Sequence, residues 1–182
     1  MNNTAIKLTY QDYLQITDDL NRHEIIDGEH YVTPSPITKH QRISKQLFLR
    51  LNKWVEDHHL GEVYETPLDV VLSDIDVVVP DLLFVSKSRM PIFTEKNIHG
   101  APDLVIEILS PSTASRDLGI KKRLYEKHGV KEYWIVDPDK QTIAVFTLTN
   151  GKFSEIQKLT IKNELTSSLF PGLKIPISSV FV

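Results

Sequence analysis

The chain contains no cysteine. Disulfides, thiolate nucleophiles and cysteine-bound zinc are therefore excluded, and the absence fits a reducing cytoplasm. No apolar run is long enough to span a bilayer. The opening MNNTAIKLTYQDYL lacks a basic start followed by an apolar stretch, so neither a secretory signal nor a membrane partner is expected. Internal repeats, low-complexity tracts and Gly/Ser-rich linkers are also missing, so residues 1–182 are read as one domain. Basic charge is in short supply. Lys and Arg number 21 against 24 Asp and Glu, a net charge of −3, which argues against a strongly basic nucleic-acid binder.

What is present describes an ordinary globular protein, 41% apolar and 25% charged, which excludes the disordered and fibrous classes. The charge is unevenly spread. Between Arg116 and Lys131 six basic residues face two acidic ones, a local surplus of four positive charges that can meet phosphates.

Periodicity and turn signals outline the elements. Thr9 to Leu20 reads as a short helix. HEIIDGEHYVTPSP (23–36) reads as a hairpin turning at Asp27-Gly28. His40, Ile43, Leu47, Leu51 and Trp54 mark an amphipathic helix from Thr38 to about His58, with Gly61 as its stop signal. Strands follow at 62–72, interrupted near Pro67, and at 77–85, where Pro80 points to an edge or a bulge. Residues 86–101 have no legible structure. DLVIEIL (103–109) reads as a central strand, and a helix then runs to His128 before Gly129. Strands at 131–137, 142–148 and after Asn150-Gly151 precede an apolar tail. The order predicts an α/β domain with a mixed β-sheet flanked by helices, an extra N-terminal hairpin and C-terminal strands. The step from 103 to 137 is a right-handed parallel crossover.

Three charges stand where apolar residues belong. Strand alternation places Glu107 on one face with Asp103, Val105 and Leu109, deep inside an apolar run. Asp81 leads directly into Leu-Leu-Phe-Val. With Leu118 at zero and about 100° per residue, Ala114, Leu124 and Tyr125 mark an apolar helical stripe, and Lys121 falls at its centre. Buried charges need partners or a metal. Two carboxylates and a lysine suit phosphodiester hydrolysis. Mg²⁺ binds through one or two carboxylates, and an amine can orient water or stabilise the transition state.

PDLLFV, APDLVIEILSPST, the RD…K…Y…GV series and KEYWIVDP, taken in order, resemble the bacterial Uma-type restriction-endonuclease family of the PD-(D/E)xK nuclease superfamily. HEIIDGE, the Ser35–His40 helix entry and LFPGLKIPI extend the resemblance over nearly the whole chain. It implies a restriction-endonuclease-like core, Mg²⁺ or Mn²⁺ as cofactor, DNA as substrate and a homodimer. Asp81 and Glu107 correspond to the family's two acids. The superfamily's usual lysine, two residues after the second acid, is Leu109 here. In the family the lysine has moved to the next helix, which selects Lys121, with Lys122 as competitor. The resemblance adds Glu24 as a further metal ligand and His40 as an accessory residue. Asp117, in the first turn of its helix, is placed to hold Lys121 four residues on.

Two other readings stand beside a nuclease. One is a nuclease-fold protein without catalysis that binds nucleic acid or a protein partner, which Leu109 and the acidic net charge favour. The other is a carboxylate-pair glycosidase, for which the chain shows no aromatic sugar platform.

Overall fold

The computed structural model describes residues 6–16 and 21–182. The first helix, α1 (Tyr10–Tyr13), is a single turn closed by a capping box between Thr9 and Asp12. It is shorter than the sequence pattern predicts, and the predicted end at 17–20 lies outside the described residues. Strands β1 (Arg22–Ile26) and β2 (Glu29–Thr33) form the expected hairpin. Asp27 and Gly28 both adopt positive φ, at 51° and 78°, which is the backbone a two-residue hairpin turn requires.

Helix α2 spans Thr38–Asp57 and buries Ile43, Leu47, Leu51 and Val55. It stops before Gly61, so that glycine is not its stop signal. Gly61 opens strand β3 (Gly61–Glu65) at a φ of 150°, where a Cβ would collide with the Val85 carbonyl. Strand β4 (Val70–Ser73) and strand β5 (Asp76–Val78) follow, then β6 (Leu82–Ser86). The apolar run 77–85 is thus two strands, and they belong to different sheets. Pro80 is neither at an edge nor in a bulge. Having no N–H to give to a ladder, it sits where the chain leaves one sheet for the other.

The stretch the sequence leaves blank contains a 3₁₀ helix, Lys87–Ile92, and the short strand β7 (Ile98–His99). Strand β8 (Leu104–Ile108) is buried along its whole length. Next come α3 (Ala114–Arg116), a π-helical turn (Asp117–Lys121) and α4 (Lys122–His128), ending at Gly129 with φ 81°. Strands β9 (Glu132–Asp137), β10 (Thr142–Thr149) and β11 (Lys152–Thr160) complete the main sheet. The tail carries β12 (Glu164–Leu165) and β13 (Ile175–Pro176).

The six-stranded sheet runs β11-β10-β9-β8-β6-β3, mixed because β8 and β9 are parallel. A five-stranded sheet runs β2-β1-β5-β4-β7. One face of the larger sheet offers Leu104, Ile106 and Ile108 to the apolar side of α2 and to Phe170, Ile177 and Val180 of the tail. The other face offers Val105, Tyr133 and Ile135 to Leu124 and Tyr125 of α4 and to Ile26, Val78 and Ile98 of the smaller sheet. Glu107 shares this second face by strand parity, so it points toward the seam between the sheets.

Candidate active site at the seam between the two sheets

Each charged side chain reaches the seam from a different element. Glu24 comes from β1, Asp81 from the crossing segment after Pro80, Glu107 from the middle of β8, and Asp117 and Lys121 from the π-helical turn. All five are buried. The extra residue of a π turn rotates the helix between its two halves. Leu118 is 53% exposed, while Asp117 and Lys121 turn inward.

Lys121 Nζ lies 2.5 Å from Glu107 Oε1, 2.9 Å from Glu24 Oε1 and 3.8 Å from Asp117 Oδ1. Tyr125, one turn on, donates its hydroxyl to Glu107 Oε1 at 2.7 Å. Glu24 Oε1 also accepts the Val79 N–H at 3.0 Å, tying β1 to the segment that carries Asp81. The competing lysine is elsewhere: Lys122 Nζ sits 3.7 Å above the Phe146 ring.

Asp81 has its own set of partners. Oδ1 accepts from Arg22 at 2.7 Å, and Oδ2 accepts from the Ile108 N–H at 2.8 Å and contacts His40 Nε2 at 3.0 Å. An ionised carboxylate only accepts, so the proton of that last contact belongs to Nε2. His40, at the head of α2, is therefore turned onto Asp81, and its buried Nδ1 has no partner among the described residues.

The electrostatics separate the two acids. Burial works against ionisation of Asp81, but His40, Arg22 and the Ile108 N–H outweigh it and hold its pKa down at about 2. For Glu107, burial comes first. Lys121 opposes it, yet Asp117, Asp81 and Glu24 add repulsion, and its pKa is pushed up to about 8. Asp117 is raised by burial and by Glu24 and Asp81. Burial acts against the Lys121 charge, but Glu107, Glu24 and Asp117 raise its pKa all the same.

These groups line a cavity of about 10 Å³, roughly the room one water-sized sphere needs. The lining carries four carboxyl groups, Glu24, Asp81, Glu107 and Asp117, against three cationic side chains, Arg22, Arg116 and Lys121. Among the described residues no group of three or more His, Asp or Glu side chains is already spaced as a metal-ligand set. Cationic side chains stand between the carboxylates. By donor type the residues fit a hard divalent cation, since their ligand atoms are oxygens and, once all four carboxyl groups are ionised, the lining carries one negative charge in excess.

Outside the cavity lies an open groove of about 280 Å³, walled by Pro34 and Ile37, Ser110 to Thr113, and Pro138. Lys39 bridges it to Asp139 at 2.9 Å. Arg22, Thr33 and Thr113 belong to both the groove and the inner cavity.

Of the residues the sequence reading selects, Asp81, Glu107, Lys121, Glu24 and Asp117 meet around the cavity in the structure, and His40 lies behind Asp81. It misses Arg22, although Arg22 shares a β1 face with Glu24 by parity. The role of Tyr125 was legible only as an apolar position.

A protein-family profile described as "Uma2: Putative restriction endonuclease" matches residues 10–178. The fold is similar to that in the crystal structure of a putative nuclease belonging to DUF820 from Anabaena variabilis ATCC 29413. That match has a TM-score of 0.80 and 24% identity over 96% of this chain and 97% of the other. The type IIG restriction endonuclease BpuSI matches with a TM-score of 0.41 and 15% identity over 78% of this chain and 15% of its own. No curated protein matches. The chain belongs to the Uma2 family of "putative restriction endonucleases".

Proposed function

We propose that the protein is a divalent-metal-dependent endonuclease that hydrolyses phosphodiester bonds in DNA. The observation that carries this reading is the meeting of Asp81, Glu107 and Lys121 around one small cavity beside an open groove. Family membership supports it. Asp81 and Glu107 would hold the metal, Mg²⁺ or Mn²⁺, with Glu24 as a further ligand. Bound there, the ion supplies a polarised phosphoryl oxygen and a water of lowered pKa.

The chain's own residues do the rest. His40 and the Ile108 N–H fix the Asp81 carboxylate in one orientation. Tyr125 does the same for Glu107. Lys121 brings a permanent positive charge to the reacting centre, where it can orient the attacking water and offset charge developing on the phosphoryl oxygens. Glu24 and Asp117 hold the ammonium in place. The lysine that is missing at Leu109 is thus supplied from the helix. The reading includes a homodimer, as the family resemblance implies, and a reducing cytoplasm, which the lack of cysteine fits.

Incubation with plasmid and with single-stranded DNA, in Mg²⁺, Mn²⁺ or EDTA, tests the reading. Cleavage should require the metal and vanish in Glu107→Gln. Equal nicking by both proteins would indicate contamination. Retained DNA binding without cleavage would favour the non-catalytic alternative.

A further inference from the structure

Arg22 lines both the groove and the smaller cavity beside it. Its side chain is 20% exposed, whereas that of Lys121 is 3% exposed. Among the described residues its guanidinium makes one hydrogen bond, from Nη1 to Asp81 Oδ1, and its buried Nε has no partner. A guanidinium has five donors in a planar fork, so this one is under-used. The other oxygen of Asp81 is committed to the Ile108 N–H and His40. Oδ1 is therefore the oxygen of Asp81 with which a cation could pair, and Arg22 covers it. On its outer side Arg22 faces a groove with apolar walls that also holds the hydroxyls of Ser110, Ser112 and Thr113, and Lys39 paired with Asp139. Hydroxyls and an arginine fork can bind a phosphate, the fork through two parallel bonds.

We propose that Arg22 is a latch on the metal site: in the free protein it closes Asp81 Oδ1, and when a divalent cation takes that oxygen it turns outward to bind a backbone phosphate of the nucleic acid in the groove. The inference rests on the nuclease reading above. It makes cation binding and phosphate binding reinforce each other, because each favours the same outward position of one side chain. Lys121 cannot play this part, being held by carboxylates on three sides in the interior.

The test uses the full-length protein, Arg22→Met and Arg22→Lys, titrated with Mn²⁺ by calorimetry. Binding of a short fluorescent DNA duplex is then followed by anisotropy in EDTA and in Ca²⁺. Removing the latch should tighten Mn²⁺ binding by about tenfold, as expected if the open position is populated roughly one time in ten. The same substitution should weaken DNA binding in Ca²⁺ by roughly tenfold, the worth of a charge-assisted contact, and leave it unchanged in EDTA. Arg22→Lys, which keeps the charge but not the fork, should fall between the two and serves if the Met variant does not fold. Equal or weaker Mn²⁺ binding in the variants overturns the latch while leaving the nuclease reading intact. So does a loss of DNA affinity of the same size in EDTA as in Ca²⁺, which would make Arg22 a fixed contact. Absence of Mn²⁺ binding in every protein overturns the metal reading and the latch with it.

Discussion

The ammonium of Lys121 lies 2.5 Å from the carboxyl oxygen of Glu107, with both side chains in the interior. Glu107 is nonetheless far from a simple ion-pair partner. Its pKa is raised, because one lysine does not offset burial and three neighbouring carboxyl groups. The site is thus short of positive charge even with its lysine in place.

Glu107→Gln should lower metal-dependent cleavage by more than about a hundredfold with little change in DNA affinity. The amide keeps the shape and can still accept from Tyr125, but it loses the charge a cation needs. Plasmid nicking and anisotropy, measured side by side, check this.

Lys121→Met should destabilise the fold at pH 8 by roughly 3–5 kcal/mol, the usual effect of leaving buried charges without their partner. At pH 5 the loss should be smaller, because Glu107 and Asp117, both with raised pKa, can take up protons instead. Lys122→Met removes only a contact over Phe146, worth about 0.5–1 kcal/mol, and should leave cleavage unchanged. Urea denaturation at the two pH values separates them.

Without metal, thermal stability should fall as pH rises from about 5 to about 8. The folded-state pKa of Glu107, about 8, lies above its ordinary value of 4.5. The folded protein therefore binds that proton more tightly than the unfolded chain, and the stabilisation is complete below 4.5 and lost as pH climbs through 8. Asp81 acts in the opposite direction. Its pKa is lowered from 3.8 to about 2, so its contribution is present above 3.8 and lost as pH falls through 2. Melting temperatures from about pH 2 to about pH 8 should show both limbs, and Glu107→Gln should flatten the upper one.

Mn²⁺ should raise the melting temperature, and more at pH 8.5 than at pH 6.5. Ligation requires the Glu107 proton to leave, so the metal competes with protons for that carboxylate. Chelation should reverse the shift. A metal response independent of pH would place the ion away from Glu107.

Tyr125→Phe deletes the buried hydroxyl that holds Glu107 Oε1. A stability loss of about 1 kcal/mol is expected, with cleavage reduced but still metal-dependent. Guanidinium denaturation and single-turnover nicking give the two numbers.

Most of the site was legible because buried charge conflicts with local pattern. Glu107 stands out in an apolar strand and Lys121 on an apolar helical face, and those conflicts are visible without coordinates. His40 and Glu24 entered through the family resemblance, and their contacts with Asp81 and Lys121 depend on how β1 and α2 pack. Arg22 was invisible because an arginine at the start of a strand violates no pattern. Pro80 shows the same limit at the level of the fold. The sequence marks it as a break in a strand, while only the ladder partners of Val77 and Leu82 show that the break separates two sheets.

By itself the sequence determined the hairpin β1–β2, the helix α2, the strand β8, the parity that turns Glu107 inward and the apolar stripes that bring α2 and α4 onto the main sheet, since these follow from turn residues and from periods of 2 and 3.6 residues. Tertiary structure decided that the seam between the sheets is where the charges meet. It also decided that the π-helical turn carries Lys121 but not Leu118 into that seam, and that Arg22 covers Asp81. Those outcomes depend on how separate elements are set against one another, and no local period encodes that.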